Sequence, residues 1–470
     1  MRHLAHGALP DYLISNQFSE VSMSQSLETL AHQLLDAAKA AGADAADAFS
    51  ISGTSVSIDV RAGALEQAER SEGTEIGLRV LVGQKQACVS ASDTRPETLA
   101  QMAERAVAMA KESLDDPHLG LADPDQLSRD TDASSLELVD PSDEPDPAAL
   151  EHDAREAEAA ALTHKGISQV QSASADYERY GLHLAASNGF SAGYERSTRG
   201  LSCVAIAGTG ADMERDYDGE SRVFQADLRS AVEIGETAAL RALERVGATK
   251  PKTGTFPVLF DERISSTLIG HLLQASNGAS VARGSSWLRD RIGEQVLPEG
   301  LSLIEDQRRV RVAGSRPFDS EGLPTGQRAI VQDGVLLGWT LDLATGRKLG
   351  MPSTSNAGRG LSSPPSPTAG NVALTQGSVS RADLIADMGT GLLVTSMIGS
   401  TINPTTGDYS RGAAGFWVEN GEISHAVNEC TIAGNLHEML RRIIAANDGR
   451  THLSRIVPSL LIDGMTLAGD

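Results

Sequence analysis

The chain has 470 residues, 40% hydrophobic and 22% charged, which suffices for a sizeable core in roughly two or three folding units. Forty basic residues against 63 acidic leave a net charge of −23, a surface that repels phosphate backbones and argues against nucleic-acid binding. Three scattered cysteines, Cys88, Cys203 and Cys430, exclude a disulfide framework and a Cys-rich zinc module, and no apolar run approaches the ~18 residues of a membrane span.

Residues 1–22 show neither helical nor strand periodicity and carry no apolar core of a secretory signal. They are expected to form a disordered extension ahead of Met23, and the protein is expected to be cytoplasmic. A first α/β subdomain is expected over 23–114. Leu27, Leu30, Ala31, Leu34, Leu35 and Ala38 recur at helical spacing from Ser26, and Gly42 supplies a stop. The period then falls to two in Val56, Ile58 and Val60, and again in Ile76, Leu78, Val80 and Val82. Gly63, Gly73 and Gly83 read as hairpin turns of an antiparallel sheet. Pro96 opens a second amphipathic helix through Leu99, Met102, Ala106 and Ala110.

Residues 115–147 carry eleven acidic residues against the single Arg129, with five prolines. That composition predicts a solvated, extended connector, and the absence of a D-x-D-x-D-G loop argues against calcium. A second α/β subdomain is expected over 148–250, with a helix from about Pro147 to Thr163, a strong hairpin signal at Asn188-Gly189, and a helix from about Val232 to Val246. From 251 to 470 the sequence is rich in Gly, Ser and Thr, with β-like runs such as FPVLF, GLLVTSMIG and AAGFWVENGEIS. Helical patterns there are confined to about Ser265–Gln274, Arg381–Met388 and Leu436–Ala446. The expected class is therefore α+β: an N-terminal domain of antiparallel sheet with flanking helices, followed by a mostly β domain with short helices.

Local motifs for chemistry are sparse. There is no G-x-S-x-G elbow and no Walker A loop, and Gly208-Thr-Gly210 lacks the third glycine of a dinucleotide fingerprint. His437-Glu438 begins like a zincin helix, but the next ligand position is Arg441, a cation that repels a metal ion. His271 stands alone on a helix of apolar neighbours. The least ordinary stretches are polar, glycine-rich runs at 318–326, 346–360 and 400–421. They read either as turn chemistry between strands or as the lining of a site for an extended peptide.

The strings FDSEGLPT, GRKLGMPSTSNAG, INPTTGDYSRGAAGFWVENGEI, TIAGNL and PSLLIDGMTLAGD resemble the TldD/PmbA family of metalloproteases, within it the PmbA (TldE) branch, in order and from about Ser26 to the last residue. The resemblance implies a C-terminal metalloprotease-like domain, a TldD-like catalytic partner carrying zinc on an H-E-x-x-x-H helix and a later cysteine, and a chamber for peptides or unfolded proteins. It also implies substrates such as peptide-antibiotic leaders and labile antitoxins, and a homodimer when the chain is isolated. The zinc motif itself fails in this sequence. With His271 as the first histidine, the glutamate falls on Leu272 and the second histidine on Ser276. With His271 as the second, the positions are Ser266 and Thr267. No metal and no catalytic group are therefore expected in this chain. Asp319, Glu321, Asn356, Asn403, Asp408 and Arg411 remain candidates for lining the chamber. Two other readings stay open: a self-sufficient hydrolase combining His271 with Asp319, Glu321 or Asp408, and a non-proteolytic adaptor of another protein such as DNA gyrase.

Overall fold

The computed structural model describes residues 26–469; the extension expected at 1–22 lies outside them. Helix α1 (Leu27–Ala40) starts where the Ser26 hydroxyl accepts the Thr29 N–H at 3.1 Å, and it stops before Gly42 at φ +94°. Strands β1 (Ala45–Arg61), β2 (Ala64–Val82) and β3 (Lys85–Ala91) follow, then α2 (Pro96–Glu112) with proline in its first turn. Gly63 and Gly83 are the hairpin turns between these strands, but Gly73 is not. It lies inside β2, paired with Gly53, because both strands run for more than sixteen residues and the alternation simply continues through it.

After the acidic segment come α3 (Pro147–Leu162), β4 (Ile167–Ala186), β5 (Ser191–Ala207), β6 (Glu214–Arg222) and α4 (Ala231–Glu244). The two α/β segments join into one antiparallel sheet of order β3-β2-β1-β4-β5-β6. Even-numbered residues of β1 set its faces. Ala46, Ala48, Val56 and Ile58 pack beneath the four helices in two adjacent cores, whereas Asp47 and Phe49 point towards the C-terminal half.

Residues 115–146 carry little regular structure, and they do not form a free solvated linker. Leu136 and Leu138 are buried, the Ser128 N–H donates to Gly322 O at 2.8 Å, and the Arg347 guanidinium donates to the carbonyls of His118, Gly120 and Leu121. Apolar residues spaced among the acids anchor this segment against the next domain.

In the C-terminal half, β7 (Gly254–Phe260) leads into α5 (Glu262–Ala275) and α6 (Gly278–Ala282). One small sheet is built from β8 (Leu303–Asp306), β9 (Gln327–Gln332), β10 (Val335–Leu336), β13 (Val372–Leu374) and β18 (Arg455–Ile456), and β11 (Ala357–Gly358) pairs with β12 (Ser366–Pro367). The main sheet has the order β16-β15-β14-β7-β19-β17, from β14 (Gly391–Ile402), β15 (Asp408–Glu419), β16 (Glu422–Asn435), β17 (Ile444–Ala445) and β19 (Leu460–Ala468). β19 also pairs with β16, so five strands close on themselves. Val258, Phe260, Leu392 and Ile462 pack on the side of α5, while Leu259, Leu393 and Leu461 pack on the side of α8 (Arg381–Met388). The helix expected over Leu436–Ala446 is only α9 (Leu436–Leu440). Ile444 and Ala445 instead pair with Leu461 and Leu460, a strand contact that overrides local helical periodicity. Sequence periodicity also missed α6 and α7 (Leu343–Leu349), both too short to show it.

The two halves interlock. Phe318 meets Phe190 edge to face at 5.0 Å between centroids, and Leu361 O approaches Gly77 so closely that a Cβ there would lie 2.3 Å away. No helix among the described residues is long and apolar enough to cross a membrane.

Candidate functional site

Helix α5 leaves the end of β7 with Asp261 as its cap, accepting the Arg263 N–H at 3.1 Å. Leu268, Ile269, Leu272 and Leu273 anchor it in the core, which turns His271 and Gln274 towards a cleft of about 320 Å³. Ser280 and Arg283 on and just beyond α6, Trp287, and the β14–β15 hairpin at Ser400, Ile402 and Pro404 complete its walls. Pro404 O accepts the Trp287 N–H at 2.8 Å, clamping the hairpin to the loop after α6.

Beneath the cleft surface the His271 imidazole meets the ring of the buried Tyr409 edge-on. Burial, and secondarily the Arg411 charge, lower the histidine pKa and keep the ring neutral. Arg411 is held by its Nε donating to Gly399 O at 2.8 Å. A second guanidinium, that of Arg455, runs beside α5, so that a Cβ on Gly270 would stand 3.3 Å from its Nη1. Burial pushes the Tyr409 hydroxyl up to about 12, so it is a neutral phenol, 3.4 Å from Met397 Sδ.

These donors do not fit zinc. Leu272 is wholly buried in the core, and Ser276, equally buried, donates to Leu273 O. In the other frame Thr267 donates to Ile264 O at 2.7 Å. No carboxylate lines the cleft among the described residues, and the nearby formal charges are cationic. Cys430 is buried on β16, donates to Ala413 O at 3.2 Å, and is pushed up to about 11 by burial, so it is a thiol rather than a thiolate ligand. A zinc site needs about three protein ligands in fixed geometry; His271 supplies one.

The sequence candidates divide into two groups. Asn403, Asp408 and Arg411 share the β14–β15 hairpin, whose Ser400, Ile402 and Pro404 line the cleft, and the Arg411 charge acts on His271. Asn403 Oδ1 accepts the N–H groups of Thr405 and Thr406, shaping the turn. Hydrogen bonds from Thr406 and Asn435 hold the Asp408 carboxyl below the usual range. Asp319, Glu321 and Asn356 lie elsewhere, buried in a polar framework. Asp319 accepts the N–H groups of Glu321, Leu323 and Ala357, Glu321 accepts that of Leu343, and Asn356 donates to Glu305 at 2.8 Å. Glu305 in turn pairs with Arg328 at 2.6 Å. Sequence reasoning missed Trp287 and Tyr409. In a chain with only 4% aromatics, a tyrosine within a polar glycine-rich run was the available signal.

Three family models match the chain in order. They are described as PmbA/TldA metallopeptidase domain 1 (residues 46–110), central domain (140–246) and C-terminal domain (253–469). A sequence named metalloprotease PmbA from Escherichia coli O157:H7 is 36% identical over 418 residues, covering 88% of this chain and 90% of its own length. A metalloprotease PmbA homolog from Haemophilus influenzae is 36% identical over 452 residues, covering 96% and 97%. Among solved structures, a Bacteroides thetaiotaomicron protein named as a candidate modulator of DNA gyrase superposes with a TM-score of 0.87 at 26% identity, covering 94% of this chain and 99% of its own. TldE from Thermococcus kodakarensis shares the fold, with a TM-score of 0.80 at 20% identity and coverage of 94% and 100%.

Proposed function

We propose that this chain, which belongs to the PmbA/TldD metallopeptidase family, is the TldE-type subunit of a two-subunit protease and carries no hydrolytic centre of its own. The observation that carries this reading is the make-up of α5: one imidazole faces the cleft, its would-be companions Leu272 and Ser276 are buried in the core, and Arg411 bears on the same ring. Zinc and the water it activates then belong to a TldD-like partner.

In such an assembly the cleft beside His271 serves as a neutral-to-cationic wall of the chamber. The β14–β15 hairpin presents backbone groups and small polar side chains to an extended peptide. The family resemblance suggests unfolded chains, peptide leaders and labile antitoxins as substrates. A hydrolase built on His271 within this chain alone lacks support: Asp319 and Glu321 are engaged by backbone N–H groups away from the cleft, and both Asp408 oxygens accept hydrogen bonds, from Thr406 and Asn435.

Affinity capture of the full chain from its native cells tests the assembly. Stoichiometric recovery of a TldD-like chain is expected. Recovery of gyrase without such a chain would overturn the proposal.

A further inference from the structure

Away from the cleft, Glu28 and His32 stand one turn apart on α1, and His183 of β4 faces them. One donor atom from each lies within 4.8 Å of the others. The two imidazoles converge on one oxygen: Ser191 Oγ is 3.0 Å from His32 Nε2 and 2.9 Å from His183 Nε2.

Two features of the sheet fix this convergence. The wholly buried Ser50 hydroxyl on β1 donates to Leu27 O at 2.7 Å and lies 3.4 Å from His183 O, tying the first turn of α1 to the strand that carries the third donor. Opposite His183 in β5 stands Gly193, where a Cβ would lie 2.8 Å from His183 Nδ1, so glycine leaves room for the ring. The backbone is thus preorganised around the three side chains, and the function proposed above uses none of them.

We propose that Glu28, His32 and His183 form a binding site for a zinc-type divalent cation, separate from the chamber. Two imidazole nitrogens and one carboxylate oxygen are the donor set that suits a borderline-soft dication, whereas calcium and magnesium favour six or more oxygens. Glu and His four residues apart on a helix share one face, as chelation requires. Rotation of the Ser191 side chain about one bond clears the space between the rings, and nitrogen–metal contacts of about 2.0–2.1 Å then need only small side-chain movements. The fourth position falls to water. An ion held there staples the start of α1 to the β4–β5 hairpin.

The test is calorimetric titration of the EDTA-stripped chain with zinc chloride, paired with thermal unfolding. One zinc per chain should bind saturably, with Tm rising on addition of zinc and falling back with chelator. His32→Ala and His183→Ala should each weaken binding by at least about tenfold and abolish the zinc-dependent rise in Tm. His32→Gln, which keeps much of the side-chain volume, should behave like the alanine variant. His271→Ala should leave the titration unchanged. Absence of saturable binding in the wild type would overturn the site, as would binding that survives in the His32→Ala/His183→Ala double variant or disappears in His271→Ala. These readouts involve no peptidase activity, so their failure is separable from failure of the protease reading.

Discussion

The imidazole of His271 and the ring of Tyr409 meet edge to face, with centroids 5.9 Å apart and planes inclined at 75°. His271 Nε2 is buried and has no hydrogen-bond partner among the described residues. A general base needs an acceptor nitrogen within reach of water and a group that orients the ring. This ring has an aromatic neighbour and a nearby guanidinium instead. His271→Ala is therefore expected to change kcat/KM of the assembled protease by no more than about twofold, under about 0.5 kcal/mol of barrier. It should destabilise the chain by about 0.5–1.5 kcal/mol through loss of the ring contact. Peptide cleavage assays and urea unfolding check the two arms.

Asp47 supplies a second prediction. Its carboxylate sits between Arg79, at 2.5 Å, and Arg359, and all three side chains are almost fully buried. Burial pushes its pKa up, but the two guanidiniums outweigh that and hold it below the usual range. Asp47→Ala leaves two buried cations without their shared partner and should cost about 3–5 kcal/mol in urea unfolding. Because the folded pKa is depressed, this contribution is present above the unfolded carboxylate value of about 4 and is lost as pH falls below it. The stability difference between wild type and Asp47→Ala should accordingly shrink on acidification from pH 6 to pH 3.

Glu321 should show the opposite sign. Burial first, then the neighbouring Asp319, push its pKa up to about 8, against the lowering influence of Arg79. Its protonated form is favoured in the folded chain, so its contribution is fully present below the unfolded value of about 4.3 and is lost as pH rises through about 8. Glu321→Gln keeps an oxygen to accept the Leu343 N–H and removes the titration. The Tm of Glu321→Gln relative to wild type should therefore rise from pH 5 to pH 8.5, as differential scanning fluorimetry can read.

Much of the fold was legible where local signals agreed with one another. Ser26, Pro96 and the apolar repeats on α1 and α2 marked helices because capping and periodicity agree there. Gly63, Gly83 and Asn188-Gly189 marked turns, whereas Gly73 carried the same local signal inside a strand whose pairing with Gly53 decides the matter. That β1 joins β4, merging two α/β segments into one sheet, is a contact between residues more than a hundred positions apart and has no local sequence sign. The polar runs were harder. Asp319, Glu321 and Asn356 have the residue types of a site, yet each spends its hydrogen bonds on the framework. Asn403, Asp408 and Arg411, from similar sequence, lie on the hairpin that supplies one wall of the cleft. Only burial and partners tell the two groups apart.

Reconstitution is the most direct measurement of the central claim. The purified chain, a co-expressed TldD-like chain, and their mixture would each be assayed for cleavage of an unfolded peptide, with His271→Ala and a partner variant lacking its motif glutamate run in parallel. The account predicts cleavage by the mixture, none by this chain alone, survival of activity in His271→Ala and its loss in the partner variant. Cleavage by this chain alone that vanishes in His271→Ala would contradict it.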